Sequence, residues 1–482
     1  MAWCWAQAAS PEDIHVITDW ESCYERASDL EKVPSALHYH DADISTVRSD
    51  NVTNTWGWGI PLRFNALRWF KLLLLEPNDL PPEVREYAYL ADARQRLADE
   101  DRDPVEVVAD YLRRLWRHAL ANIESEVGET VLSQTNLKIR MTVPAIWPAY
   151  ALARMRDAAS LADMTQQRGN CEPTTLGFVN EPEAAALAST ADLKRECRLD
   201  AGDTFTMVDA GGGTVDLISY KVKSTQPFAL EEVVEGQGGL CGAKFLDEDF
   251  ERELIKFLGE ENYAKIFHRS RVEGLHQCWE CGIKRSFTGG SQDWTLPLAF
   301  ERAWSASSHA EYVDPPKMPA NRVKAVFEPT MANIEALVQS QISKMKGKPP
   351  KYLLLVGGFG RSKYLRRRLD DLVKPQGTVV LQARDSKPWT AICRGAVIAE
   401  GISSGFMDGT VFPKVALRKA RMNYGLAKCS KWDPVKHDPR DKIFHRTFED
   451  YYANNQMDWF IKRVSRSTAP NFHRPCHRGI TK

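Results

Sequence analysis

The chain has 482 residues, 43% hydrophobic and 27% charged, with Lys+Arg and Asp+Glu both at 64 and a formal net charge of zero. That length suits two to four domains or one large two-lobed unit, with apolar material enough for a sizeable core. A balanced chain offers no electrostatic case for nucleic acid or an anionic membrane as main partner. The longest leucine run, Leu72 to Leu75, falls far below the ~18 apolar residues of a membrane span. "MAWCWAQAAS" lacks a basic n-region and a long enough apolar region for a secretory signal. The ten cysteines are scattered, which fits a reducing compartment and a cytoplasmic location. There the sequon Asn51-Val52-Thr53 is idle. Cys278 and Cys281 form a lone CxxC, with His276 nearby. A closed zinc site needs four ligands, so these thiols read as structural or incidental. His473, Cys476 and His477 lie in a C-terminal stretch without periodicity, expected to be a mobile tail.

In chain order, "IHVITDW" and "KVPSALHYH" read as strands, and "LRWFKLLLL" as a helix or buried segment. From Pro104 to Val127, apolar residues at three-four spacing predict a helix, with Asp103 as cap and Pro104 in its first turn. "LKIRMTVPAIW" predicts a strand ended by Pro144, followed by a helix over "AYALARMRDAASLADM". "TTLGFVNEPEAAALAST" predicts a strand, then a helix opening at Asn180 to Pro182. Further strands are expected at "TFTMVD", "VDLISYKV", "YLLLV" and "GTVVLQA", and helices at Asp247 to Leu258 and Thr390 to Ile402. The alternation of strands and helices argues for an α/β fold with helix-covered sheets.

Three glycine-rich or acidic sites stand out. In "DAGGGTVD", Gly211, Gly212 and Gly213 can take positive φ and bring backbone N–H groups close to a ligand. Asp209 suits a hydrated Mg²⁺, and the Thr214 hydroxyl suits a phosphate oxygen. The other reading of this stretch is a plain hairpin turn. It is not a P-loop, because no GK[ST] follows. In "VNEPEAAALAS", Glu181 stands at a strand-to-helix junction, where a carboxylate can orient water or metal-bound water, or only stabilise the helix dipole. "LLLVGGFGRSKYL" places Gly357 and Gly358 at a strand end and Arg361 at a helix start, suited to close approach of a nucleotide or to a simple turn. "WECGIKRSF" offers Glu280, Lys284 and Arg285, which could reach a ribose or adenine or form a solvated helix face.

In this order the motifs resemble the actin, hexokinase and heat-shock-chaperone ATPase superfamily, and more narrowly the nucleotide-binding domain of the seventy-kilodalton heat-shock proteins. "ITDW", "WGWGI", "LRWFKLLL" and "IKRSF" are similar to its atypical branch, found in fungi and as the heat-shock-protein-12-like group of animals. The resemblance covers residues 10 to 402. It implies an α/β, two-lobed actin-like ATPase fold with ribonuclease-H-like repeats and a nucleotide cleft between the lobes. Lobe I would span residues 1–198, with 384–412 returning to it, and lobe II residues 199–383. Residues 413–482 would form an irregular basic and aromatic extension. The ligands implied are ATP or ADP with Mg²⁺, and the partners protein clients or co-chaperones.

Residue by residue, the resemblance assigns Asp209 to Mg²⁺ through water, and Gly211, Gly212, Gly213, Thr214 and Asp216 to the second phosphate loop. Glu181 takes the water- and metal-positioning role, and Lys71 that of the lysine near the γ-phosphate. Cys241-Gly242 stands where the family has a glycine pair. Glu280, with a spacing that differs by one, Lys284 and Arg285 contact the nucleoside. Gly357, Gly358 and Arg361 form the adenosine loop.

The family's first phosphate loop, Asp-x-Gly-Thr, does not occur before Ile14. "MAWCWAQ" is similar to the strand that follows it, so lobe I is expected to lack a central strand and half the phosphate cage. Trp389 or a neighbour stands where the family has an aspartate. The chain then reads either as a truncated ATPase or as a member that binds nucleotide weakly or not at all. Weak or absent hydrolysis is expected, since phosphoryl transfer rests on positioning and charge stabilisation. The other readings are a non-catalytic interaction protein on the same fold, and a metabolite kinase, which would need an aspartate base in lobe I. The family's peptide-binding sandwich and helical lid are not expected within residues 403–482.

Overall fold

The computed structural model describes residues 1–22, 30–39, 55–61, 66–80, 85, 88–145, 147–194, 196–266, 275, 278–298, 315–345, 347–407, 412, 414–420, 423–462 and 466–467. The sequon, His276 and the His473, Cys476 and His477 group lie outside these residues.

The first lobe opens with the antiparallel pair β1 (Cys4–Gln7) and β2 (Ser10–Val16). A small three-stranded sheet follows, made of β3 (Ala36–His38), β4 (Thr55–Trp56) and β5 (Leu67–Arg68). "LRWFKLLLL" thus divides into a strand end and a tight 3₁₀ turn over Phe70–Leu74. Helix α1 (Ala88–Asp99) precedes α2 (Pro104–Val127). The Asp103 carboxylate caps α2, accepting from the Val105 amide at 2.6 Å. Its apolar stripe, Val108, Leu112, Leu115, Trp116, Ala119 and Ile123, enters the lobe I core. Strand β6 (Lys138–Val143), helix α3 (Ala149–Leu161) and strand β7 (Thr175–Asn180) complete a βαβ unit with β6 and β7 parallel. Helix α4 (Glu181–Asp192) starts directly at the end of β7.

The second lobe is built on β8 (Thr204–Ala210), β9 (Val215–Thr225) and β10 (Phe228–Gly239), an antiparallel meander. Helix α5 (Ala243–Leu258) follows. A two-stranded ribbon joins β11 (Trp294–Thr295) to β12 (Lys317–Met318), and the long helix α6 (Ala320–Ser343) covers the sheet. Then come β13 (Tyr352–Val356), α7 (Lys363–Val373), β14 (Val379–Leu381) and α8 (Lys387–Ser403). Strand β15 (Lys414–Lys419) adds parallel to β10, and β19 (Arg466–Ser467) pairs with β15. The described sheet order is β14-β13-β8-β9-β10-β15-β19.

Strand β8 shows why "TFTMVD" lacks clean alternation. Phe205 and Met207 enter one core with the α4 alanines and Ile398 of α8, while Val208 and Ala210 enter another with α5 and α6. Both faces are covered, so both are apolar.

The irregular structure expected after residue 412 is not what residues 414–462 form. Besides β15, a second antiparallel sheet runs β16-β18-β17, from β16 (Tyr424–Lys431), β17 (Lys442–His445) and β18 (Asp450–Ile461). Cross-strand aromatic contacts such as Phe444 with Tyr451, at 5.4 Å between centroids, help hold it. Leu426, Phe444, Tyr451, Trp459 and Phe460 stay exposed, which erases the in–out alternation that marks a half-buried strand in sequence.

Helices α4 and α8 pack at close range because their contact positions are small. A Cβ on Gly395 would fall 1.8 Å from the Ala184 carbonyl oxygen. Gly395→Ala is therefore expected to destabilise the fold by about 1–3 kcal/mol through overpacking, read as a lower melting temperature in thermal unfolding. An unchanged melting point would refute this contact.

Candidate functional site

"DAGGGTVD" is a hairpin: Ala210 pairs with Val215, and the loop between them is Gly211 to Thr214. The Gly211 amide donates to the Thr214 carbonyl at 2.9 Å. The positive φ suggested for these glycines is not used at any of the three. They provide close approach instead. The carbonyls of Gly211, Gly212 and Gly213 accept from the amides of Ala243, Lys244 and Gly242, at the start of α5, at 3.1, 2.8 and 3.2 Å. In a trans peptide the following N–H points the opposite way. The amides of Gly212, Gly213 and Thr214 are thus turned away from α5, on a loop that lines a large cleft. Gly242 is obligatory for this packing, because a Cβ there would meet loop backbone at 2.5 Å. On the other side, the Trp69 ring lies where a Cβ on Gly213 would meet it at 2.9 Å.

Beside the loop stand three carboxylates and two lysines. Asp209 and Asp216 face each other across the β8–β9 ladder. The Asp209 side chain is buried, and its Oδ1 has no hydrogen-bond partner. Burial, then Asp216, then Glu181 push its pKa up to about 7, against the pull of Lys32 and Lys71. Burial and Glu181 raise Asp216 to about 6, although the Thr214 hydroxyl donates to it at 2.8 Å. Gly238 leaves room for Asp216, since a Cβ there would lie 2.4 Å from Oδ1. Glu181, the first residue of α4, accepts from Lys71 Nζ at 2.8 Å. Lys32, which sequence reasoning did not single out, reaches the same place. Burial lowers its pKa, opposed by Asp209, Cys393 and Glu181. Its ammonium lies 4.5 Å from the Trp389 ring.

The adjoining wall is the turn after β13. Gly357 has φ of 87°, and a Cβ on it would lie 2.3 Å from the Ala210 carbonyl and 2.5 Å from Asp209 Oδ1. Gly358 abuts the Trp389 ring, at 2.4 Å from its absent Cβ. Arg361 lies 5.6 Å from that same ring, outside the cleft lining. Cys241 is also outside the lining and buried, and burial pushes its thiol up to about 12. Glu280 falls in a π-helical turn, Cys278–Ile283, and Lys284 and Arg285 follow it. Lys284 Nζ donates to Asp247 at 2.6 Å and to Glu280 at 2.7 Å. Burial draws the Lys284 pKa down, but the two carboxylates outweigh it and hold it up.

The structure therefore gathers Lys71, Glu181, Asp209, Gly211 to Thr214, Glu280, Lys284, Arg285, Gly357 and Gly358 around one cavity of about 2220 Å³. Sequence reasoning missed Lys32, Trp69, Gly238 and Asp247. Lys32, Trp69 and Asp247 line the cleft, and only the fold brings them there, while Gly238 makes room for Asp216. The thiols of Cys278 and Cys281 form no metal cluster among the described residues. An unpartnered buried carboxylate, a rim of turned-out amides and close-approach glycines fit a bound phosphate with a hydrated divalent cation.

No family model matches the chain. Heat shock 70 kDa protein 12B of Homo sapiens is 24% identical over 565 aligned residues, covering 96% of this chain and 76% of that protein. Heat shock 70 kDa protein 12A of Mus musculus is 22% identical over 553, covering 95% and 76%. Chaperone protein DnaK of Deinococcus deserti is 25% identical over 364, covering 71% of this chain and 49% of that protein.

The raised Asp209 pKa has a defined sign in stability. Between about pH 4, where an unfolded aspartate ionises, and about 7, the folded chain keeps a proton that the unfolded chain has released. Raising pH through this window therefore favours unfolding, by at most about 1.4 kcal/mol per pH unit for this group. Asp209→Asn is expected to gain stability relative to the parent between pH 5 and pH 8 in urea unfolding. A difference that stays constant with pH would show that Asp209 titrates normally.

Proposed function

We propose that the cleft of this chain, which belongs to the heat-shock-70 family and has its two-lobed, actin-like ATPase fold, binds ATP or ADP with Mg²⁺ and that lobe closure follows nucleotide state. The observation that carries this reading is the buried, unpartnered Asp209 Oδ1 beside the turned-out amides of Gly212, Gly213 and Thr214. These amides would hold phosphate oxygens, and Asp209 would hold the hydrated cation. When bound, Mg²⁺ supplies neutralisation of phosphate charge. Gly357 and Gly358 let backbone approach the nucleoside, and Glu280, Lys284 and Arg285 would meet the ribose and base. Glu181 keeps Lys71 extended into the cleft through their ion pair. No described helix is long and apolar enough to cross a membrane. In this reading the chain works in the cytoplasm, with protein clients or co-chaperones as partners.

Hydrolysis is proposed to be weak. The lobe I side of the cleft presents the side chains of Lys32, Trp69, Lys71 and Trp147 to the loop. Transfer of a phosphoryl group relies on donors fixed where charge develops, and flexible lysines replace fixed donors poorly. A second reading, a non-catalytic interaction protein on this fold, draws on the Lys71–Glu181 and Thr214–Asp216 contacts, which satisfy these side chains internally.

Calorimetry with ATP and Mg²⁺ decides between them. Saturable heat is expected, with affinity falling at least tenfold in Asp209→Ala. Absence of heat in the parent chain would favour the second reading. In a separate steady-state assay, turnover is expected at or near background. Brisk hydrolysis abolished by Asp209→Ala would refute the weak-hydrolysis part alone.

A further inference from the structure

Two thiols that the phosphate chemistry does not use lie against each other. Cys4 of β1 and Cys393 of α8 are 389 positions apart in the chain, yet their sulfurs are 2.8 Å apart, with Cys4 Sγ as donor. Both are free thiols, and neither is fully buried. A disulfide needs ~2.05 Å between its sulfurs, so joining this pair takes less than about 1 Å of movement. The two sulfurs differ in character. The hydrogen bond from Cys4 holds the Cys393 thiol below its usual range; burial opposes this, and Lys32 and Arg394 add to it. Arg394 is fixed there by its two hydrogen bonds to Asp192, at 2.9 and 2.5 Å. Burial and then Cys393 raise the Cys4 thiol, so Cys4 keeps its proton. Elsewhere burial alone dominates: it pushes Cys197 and Cys241 up to about 12 and raises Cys278. A thiolate beside two cations, with a protonated thiol in contact, is the arrangement of an attacking and a resolving cysteine.

We propose that Cys4 and Cys393 form a peroxide-reactive dithiol, which a hydroperoxide closes to a reversible disulfide tying β1 to α8. The Cys393 thiolate attacks one peroxide oxygen, the O–O bond breaks, and the released hydroxide takes a proton and leaves as water. Cys393 is then a sulfenic acid. The Cys4 sulfur gives up its proton and attacks the Cys393 sulfur; the S–O bond breaks, and a second water leaves. Two thiols and one hydrogen peroxide thus yield one disulfide and two waters, and the peroxide takes two electrons. This chemistry needs no nucleotide. Its place in the fold gives it a consequence for the cleft. Trp389 and Cys393 are one turn apart and share a face of α8. Trp389 packs on Gly358, and the Pro388 carbonyl accepts from the Gly357 amide at 3.0 Å. The disulfide therefore fastens to β1 the helix end that backs the glycine turn after β13.

The test treats the fully reduced chain with hydrogen peroxide, blocks remaining thiols with N-ethylmaleimide and maps unreduced peptides by mass spectrometry. A cross-linked pair of the Cys4 and Cys393 peptides, two hydrogens lighter than the separate peptides, is expected to accumulate and to disappear with dithiothreitol. In Cys4→Ser the cross-link is expected to be absent, and dimedone should trap Cys393 as its sulfenic acid. In Cys393→Ser, oxidation of Cys4 should be roughly tenfold slower, because the lowered thiolate is gone. Cys429→Ser, at an exposed thiol, should leave the cross-link unchanged. The oxidised parent is expected to melt at a higher temperature than the reduced parent, and Cys4→Ser to lose that difference. A cross-link to Cys393 that persists in Cys4→Ser overturns the proposal. So does oxidation of Cys278, Cys281 or Cys429 ahead of Cys393 in the parent chain. A parent chain that stops at the sulfenic acid, or whose disulfide leaves the melting temperature unchanged, overturns the tie between β1 and α8.

Discussion

Asp209 lies next to the end of a strand covered on both faces, and its carboxylate is buried with one oxygen unpartnered. An ionised carboxylate is poorly tolerated in such a place unless opposite charge or hydrogen-bond donors reach it. Much of the cleft follows from that. Gly357 and Gly238 lack side chains where a Cβ would strike Asp209 or its neighbour Asp216. Lys32 and Lys71 come in from lobe I as the nearest cations. The hairpin beyond Asp209 turns its carbonyls to α5 and so turns its amides the other way.

The two lobes meet the requirement for backbone pairing differently. In lobe II the β8–β9–β10 meander is extended on both sides by parallel neighbours, and β13 brings Gly357 directly against the end of β8. In lobe I the strand pairs are positioned by helices. Side-chain contacts to α8, such as Cys4 with Cys393 and Arg140 with Glu400, do part of what a continuous ladder does elsewhere. Close α4–α8 packing at Ala184 and Gly395 ties this arrangement to Glu181, the first residue of α4.

Much of this was legible in the sequence where one periodicity or one cap dominates. The span Pro104–Val127, its Asp103 cap and the strand ended by Pro144 are read directly, because local spacing and backbone chemistry decide them. Helix α5 begins at Ala243, four residues before the Asp247 that the pattern predicts, because its first turn is held by hydrogen bonding to the glycine loop, which is remote in sequence. The sheet of β16, β17 and β18 was missed because neither of its faces is uniformly apolar.

The sequence by itself determined the α/β class, the glycine and carboxylate motifs and the family resemblance, since each rests on residues adjacent along the chain. Only the tertiary structure decided that the three glycines serve close approach rather than positive φ. It alone brought Lys32 and Trp69 to the loop, placed Arg361 beside Trp389 and left Asp209 Oδ1 without a partner. The physical reason is that burial, charge proximity and backbone clearance are properties of surfaces brought together by folding, and spacing along the chain does not encode them.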